Sequence, residues 1–286
     1  LREVPEPPET GPAGILRRSR GRRPTLGSFG ARGSLRMVCA AITILVGWPP
    51  RGTAQEVVTL STSDGSTAFG TWHRASAAPS AIIVAFHQGG ASGLGEYTPI
   101  LPRLTGEGYD VLVVDLRAGG DRFGGRNRTV EARGGEAGYC DAAPDVEAAF
   151  RHAVQDRRGL PVVLWGSSFS AALVLRLSAE VPAGLAAVLA FSPASGGPME
   201  GCRGEDVSER IQAPVLVLRP RSEMEIPSVA AQAERFRAQG HRTFTADPGA
   251  HGSSTLVEDR VGASVEETWD AVLEFLAAAL RAPDST

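Results

Sequence analysis

Gly166-Ser167-Ser168-Phe169-Ser170 sets a serine between small residues, directly after the apolar run from Pro161 to Trp165 and just before Ala171-Ala172-Leu173-Val174-Leu175. Gly-x-Ser-x-small between a strand and a helix is the spacing of a nucleophile elbow. The turn is so tight that its flanking residues must be small; it lifts the hydroxyl above the sheet and aims a helix N-terminus at it. The bland alternative is an ordinary helix cap by Ser167 or Ser168. A serine hydroxyl near neutral pH needs a base within hydrogen-bond reach. Of the five histidines, His251 lies in Pro248-Gly249-Ala250-His251-Gly252, after the last expected strand, while His73, His152 and His241 fall on a strand, a helix and a strand start. The base in turn needs a carboxylate to fix its tautomer and stabilise the imidazolium. Glu223, four residues before Pro227, is the first candidate; Glu225 is its close rival, and Glu200 and Asp206 are weaker ones. The competing reading has Glu223 merely pairing with Arg219 or Arg221 in a solvated cluster. Serine, histidine and carboxylate in this order are equipped for nucleophilic attack on an acyl carbon.

These residues must be carried by elements that converge. Residues 56–60 and 67–73 read as a hairpin around Ser63-Asp64-Gly65. Residues 81–86, 109–115, 161–165, 185–191 and 213–218 are apolar runs of the kind that form strands buried on both faces, and 242–246 is a further strand. Helical patterns fall between them at 97–106, 141–158, 168–180, 228–239 and 265–281, and a Gly/Arg-rich loop spans 117–139. The alternation predicts an α/β fold: a mostly parallel twisted sheet, helices on both faces, and an antiparallel N-terminal hairpin. Reactive groups then gather at the C-terminal ends of the strands, where Ser168, Glu223 and His251 lie.

From about residue 56 to 281 the chain resembles an α/β-hydrolase of the dienelactone-hydrolase-like or small serine esterase type. The order Ser, acid, His matches that fold, and Phe86-His87-Gln88-Gly89-Gly90 looks like the family's oxyanion loop. The resemblance implies that backbone N–H groups of Gln88 and Phe169 hold the developing oxyanion, with His87 and Gly89 beside the substrate and His87 structural rather than basic. Such donors are worth about 2.7–4 kcal/mol each in the transition state. Dienelactone hydrolases proper carry cysteine at the elbow; Ser168 points to ordinary esters. Ser170 stands where a second glycine is usual. The implied function is a serine hydrolase that cleaves a small carboxylic ester through an acyl-enzyme, using Ser168, His251 and Glu223 and no cofactor or metal. A peptidase or thioesterase on the same fold, or a non-catalytic binding protein that has kept it, are the alternatives.

Composition sets the remaining bounds. Of 286 residues, 42% are hydrophobic and 21% charged, enough to bury a core. A net charge of −3 argues against a nucleic-acid partner, and no apolar run reaches the ~18 residues of a membrane span. The chain has no lysine, and its charge is uneven: +5 over residues 1–36 and −8 over the rest. Residues 1–36 are rich in Gly, Pro, Ser and Arg without periodicity, as in a disordered leader or an over-long gene start. Residues 37–54, with the apolar stretch Val38 to Trp48 and Gly52-Thr53-Ala54 closing it, resemble a secretory signal cut near Ala54–Gln55; a buried strand or short helix is the competing reading. Residues 55–286 would then be a single secreted or periplasmic domain. In that compartment Cys140 and Cys202 are expected to pair, the alternative being two buried thiols. Arg117, Arg122, Arg126, Arg128 and Arg133 could receive a substrate carboxylate or phosphate; pairing with Asp115, Asp121, Glu131 and Glu136 is the preferred reading. Asn127-Arg128-Thr129 is a glycosylation sequon. Residues 194–208 are too short for a large lid, which favours an open site for small, soluble substrates. Nothing in the sequence reports the oligomeric state.

Overall fold

Alternating side-chain direction explains why the apolar runs form one sheet. In the computed structural model, which describes residues 55–156 and 159–281, strand β3 (Ala81–Phe86) is buried at every position. Its Ile82, Val84 and Phe86 join one core cluster and its Ala81, Ile83 and Ala85 the other. A strand with period-two side chains and apolar residues at every position must be covered on both faces. The expectations for residues 1–36 and 37–54 lie outside the described residues.

Strands β1 (Glu56–Ser61) and β2 (Thr67–His73) form the hairpin at one edge. Gly65 takes φ +80° in the turn, a conformation open to glycine at little cost. Strand β4 (Tyr109–Asp115) pairs antiparallel to β2 and parallel to β3. Strands β5 (Val162–Ser167), β6 (Leu185–Phe191), β7 (Val215–Pro220) and β8 (Arg242–Ala246) extend the parallel part. The eight-stranded order is β1-β2-β4-β3-β5-β6-β7-β8. The order places β3 and β5 side by side at the centre, so the loop after Phe86 and the turn after Ser167 emerge next to each other.

Between β3 and β4 the sequence predicts one helix over 97–106; the structure has two, α1 (Gly93–Tyr97) and α2 (Leu101–Gly106). Pro99 cannot donate into a continuous helix, whereas Pro102 sits in the first turn of α2, where its missing N–H is harmless. The 117–139 loop contains a short helix, α3 (Arg128–Arg133), capped by the Asn127 side chain on Val130 N–H at 2.9 Å. Asn127 is buried and its amide also donates to Leu116 O, so the sequon asparagine is a structural cap, not an accessible acceptor.

Helix α4 (Ala143–Asp156) and α5 (Phe169–Ser178) pack with the first core cluster. Beyond β7 come α6 (Arg221–Met224) and α7 (Pro227–Ala238), and beyond β8 come α8 (Glu258–Val261) and α9 (Glu266–Ala279), whose Trp269, Val272, Phe275 and Leu276 join the second cluster. Cys140 and Cys202 are joined by a disulfide across a sequence separation of 62, tying the segment before α4 to the loop after β6.

Candidate active site

The turn from β5 into α5 is strained in the way the spacing predicts. Ser168 takes φ 62° and ψ −116°, a region that costs a non-glycine residue on the order of 1–3 kcal/mol. Gly166 must lack a side chain, because a Cβ there would lie 2.5 Å from Ala171 Cα. Ser170, at the place of the usual second glycine, is fully buried and its hydroxyl braces the turn: it accepts from Ser167 N–H at 2.8 Å and donates to Phe86 O at 2.8 Å. The Ser168 hydroxyl makes no hydrogen bond to any described residue, whereas its backbone N–H is fixed to Phe191 O at 2.8 Å.

Glu223 lies on α6, one turn beyond the end of β7, and the structure brings it to His251. The His251 Nδ1 to Glu223 Oε1 distance is 2.6 Å. The same carboxylate accepts from Ser192 Oγ at 3.0 Å and, through Oε2, from Arg219 Nη1 at 2.7 Å. The two readings of Glu223 are therefore both realised: it holds the histidine and it pairs with Arg219. Glu225, Glu200 and Asp206 are exposed and make no contact with His251. Burial by itself would raise the Glu223 carboxyl. The hydrogen bond and charge of His251, the charge of Arg219 and the Ser192 hydroxyl act the other way and leave it below the usual carboxylate value. Arg219 is almost wholly buried, and its desolvation pulls the guanidinium below its ordinary value while Glu223 opposes this.

Backbone contacts then carry His251 to the elbow. Gly252 N–H donates to Ser192 Oγ at 3.1 Å, and Ser253 N–H donates to Ser167 Oγ at 2.9 Å. Gly252 has φ +65°, and a Cβ on it would collide with Ser167 Oγ. The residue after His251 is thus packed on the residue before Ser168. His251 is half exposed at the mouth of the site and makes no hydrogen bond with Ser168 in this structure.

Two expectations for the oxyanion loop need correction. Gln88 N–H is engaged by Glu96 Oε2 at 2.6 Å, so it is not a donor open to substrate. The N–H groups of Gly89, the next residue, and of Phe169, at the first position of α5, have no partner among the described residues. His87 is fully buried: Leu116 N–H donates to Nε2 at 2.9 Å, which assigns the proton to Nδ1, directed at Gln88 O at 2.9 Å. It shapes the loop and does not face a substrate.

Glu96 is the residue that the sequence reading missed. Its carboxylate is fully buried and accepts from Gln88 N–H, from Gln88 Nε2 at 3.1 Å and from Ser167 Oγ at 2.6 Å. Ser167 Oγ in turn accepts from Ser253 N–H, so one side chain joins the loop after β3, the turn into α5 and the loop that carries His251. Trp165 Nε1 and the Tyr97 hydroxyl also reach Ser253 Oγ, at 2.9 and 3.2 Å. A buried network of this kind is stable only when every member is satisfied. Glu96→Gln turns one acceptor atom into a donor facing existing donors, and is expected to lower unfolding free energy by about 1–3 kcal/mol. Urea unfolding monitored by tryptophan fluorescence reads this directly; an unchanged midpoint and slope would mean that the network contributes nothing.

The arginines of the 117–139 loop are largely engaged within the fold. Arg117 binds Asp145 and Asp64, Arg128 binds Asp115 at 3.0 Å, and Arg126 binds Glu131 at 2.5 Å. Arg133 donates to backbone carbonyls of Gly135 and Glu136, and Arg122 lies over the Phe123 ring. The expected pairing thus holds for Arg126 with Glu131 and Arg128 with Asp115, Arg117 takes Asp145 and Asp64 instead, and among the described residues Asp121 and Glu136 form no ion pair with these arginines. A cavity of about 760 Å³ opens beside Arg126, Arg128 and Arg260, but neither Ser168, Glu223 nor His251 lines it. Among the described residues no cluster of His, Cys, Asp and Glu is arranged to hold a metal ion, and no helix is long and apolar enough to cross a membrane.

Comparison with known proteins adds a family to this geometry. Residues 77–221 match the family model described as Hydrolase_4, serine aminopeptidase, S33. No curated protein matches the sequence. Among solved structures, an esterase of Pyrococcus furiosus superposes with a TM-score of 0.58 at 18% identity, over 82% of this chain and 96% of that one. A thermostable carboxyl esterase from Bacillus coagulans gives 0.60 at 12% identity, over 80% and 99%. The acylaminoacyl peptidase of Pyrococcus horikoshii gives 0.57 at 12% identity, over 81% of this chain and 42% of the larger peptidase. At these identities the likeness is one of fold.

Proposed function

The chain belongs to the Hydrolase_4 family, serine aminopeptidase S33, with an α/β-hydrolase fold, and from that premise we propose that it is a serine hydrolase that cleaves small carboxylic esters through an acyl-enzyme. The observation that carries the proposal is the 2.6 Å contact between Glu223 and His251 on a loop packed against the strained Ser168 turn. Ser168 Oγ attacks the acyl carbon, and His251 Nε2 takes its proton. Glu223 accepts from Nδ1–H, which keeps the proton-accepting nitrogen towards the serine and stabilises the imidazolium as it forms. The C=O electron pair moves to the carbonyl oxygen, where Gly89 and Phe169 N–H groups receive it; the N-terminus of α5 adds its positive end. Collapse expels the alcohol, which leaves with the proton from His251. Water then attacks the acyl-enzyme by the same steps in reverse order of roles. The family's own description and the peptidase neighbour favour amide cleavage as the second reading.

The disulfide supports an oxidising compartment, in keeping with residues 37–54 as an export signal. The decisive test pairs a fluorophosphonate probe with matched esters, thioesters and amides of graded size. Stoichiometric labelling of Ser168, with esters turned over at least about 100-fold faster than amides, is expected. Absence of labelling overturns the mechanism; amides turned over as fast as esters overturn the substrate class.

A further inference from the structure

Tyr139 lies against both Gly89 and Phe169, the residues whose backbone N–H groups are without a partner among the described residues. Its ring stacks on that of Phe169, with centroids 4.5 Å apart and planes inclined by 13°. Its hydroxyl lies against Gly89: a Cβ built on that glycine would collide with the phenol oxygen. The side chain therefore bridges the two residues whose backbone N–H groups are without a partner among the described residues, and the absence of a side chain at Gly89 is what admits it. The phenol oxygen makes no hydrogen bond to any described residue, although the residue is only partly exposed. The phenol O–H is therefore free to donate to a ligand that enters beside Gly89 and Phe169. The position is also fixed in the chain. Tyr139 directly precedes Cys140, which is bonded to Cys202, and lies inside a tight turn closed by Asp141 accepting from Gly138 N–H at 3.1 Å.

We infer that Tyr139 is a further catalytic residue: its phenol O–H donates a hydrogen bond to the substrate carbonyl oxygen as that oxygen gains charge. The inference rests on Ser168 being the nucleophile. As the bond from Ser168 Oγ to the acyl carbon forms, the C=O electron pair moves onto oxygen. The phenol keeps its proton, and its hydrogen bond strengthens with that charge. Because the contact tightens only in the transition state, it acts on kcat and not on substrate affinity.

Tyr139→Phe keeps the ring and its stacking and removes only the donor. The expected result is a loss in kcat of about 10- to 100-fold with KM within about twofold. Affinity for a boronic acid or trifluoromethyl ketone, which form tetrahedral adducts on the serine, should fall by the same factor. A phenol that serves only packing would leave kcat and adduct affinity at wild-type values, and that result overturns the inference. Wild-type labelling by a fluorophosphonate separates the two failures. With Ser168 labelled and Tyr139→Phe fully active, only the role of Tyr139 falls; with Ser168 unlabelled, the nucleophile itself is wrong and this inference falls with it.

Discussion

Ser168→Ala is expected to reduce ester turnover on the order of 10⁶-fold while leaving the protein folded. The argument has two independent parts. First, the hydroxyl makes no hydrogen bond to any described residue, so its removal strands no donor or acceptor. Alanine meets the same backbone strain as serine at φ 62°, so unfolding free energy should change by less than about 0.5 kcal/mol. Secondly, the residual rate should not reach zero. A site that still offers the Gly89 and Phe169 donors retains some acceleration over water without its nucleophile. Measuring kcat on a chromogenic ester, with urea unfolding on the same preparation, separates the two effects. A variant that keeps a tenth of wild-type kcat would remove Ser168 from the mechanism whatever its geometry.

What could be read from residues alone divides along a physical line. The strands from Ala81 to Phe86 and Tyr109 to Asp115 were legible because burial on both faces demands apolar residues at consecutive positions, and that demand is written locally. The elbow was legible for the same reason: a tight strand-to-helix turn excludes side chains at Gly166, and the exclusion is a local steric fact. The open donor of the loop after β3 was not. Whether Gln88 or Gly89 presents an open N–H depends on which one a carboxylate eight residues away reaches first, and backbone donors carry no residue identity. Glu96 had no motif and sits in the first turn of a helix only five residues long. The helix break at Pro99 was a local signal in the sequence that the reading of one helix over 97–106 did not use.

The choice between Glu223 and Glu225 shows the limit most clearly. Two residues apart on a helix point about 200° apart, so one of them must face away once the segment coils. The four residues of α6 were too few to announce a helix by periodicity. In the structure Glu223 faces inward, towards His251, and Glu225 is exposed.

Glu223→Gln should therefore lower kcat by about 10⁴-fold, and Glu225→Gln by less than about twofold. The asymmetry follows from Arg219. Its guanidinium donates to Glu223 Oε2 at 2.7 Å and is almost wholly buried, so an amide at this position must turn its oxygen to the arginine. The amide NH₂ then faces His251 Nδ1 as a donor. That forces the ring proton onto Nε2, the atom that has to accept from Ser168, and the base is in the wrong tautomer. The pH dependence carries the same signature. Because the folded-state value of Glu223 is depressed, its charge contributes stability that is fully present above the usual carboxylate value and is lost as pH falls through the lower folded value. In Glu223→Gln that acid-labile component should vanish, and the difference in unfolding free energy between variant and wild type should shrink as pH drops through that window. Equal losses in kcat for the two substitutions would mean that neither carboxylate orients the histidine. A large loss for Glu225→Gln alone would require α6 to unwind when substrate binds.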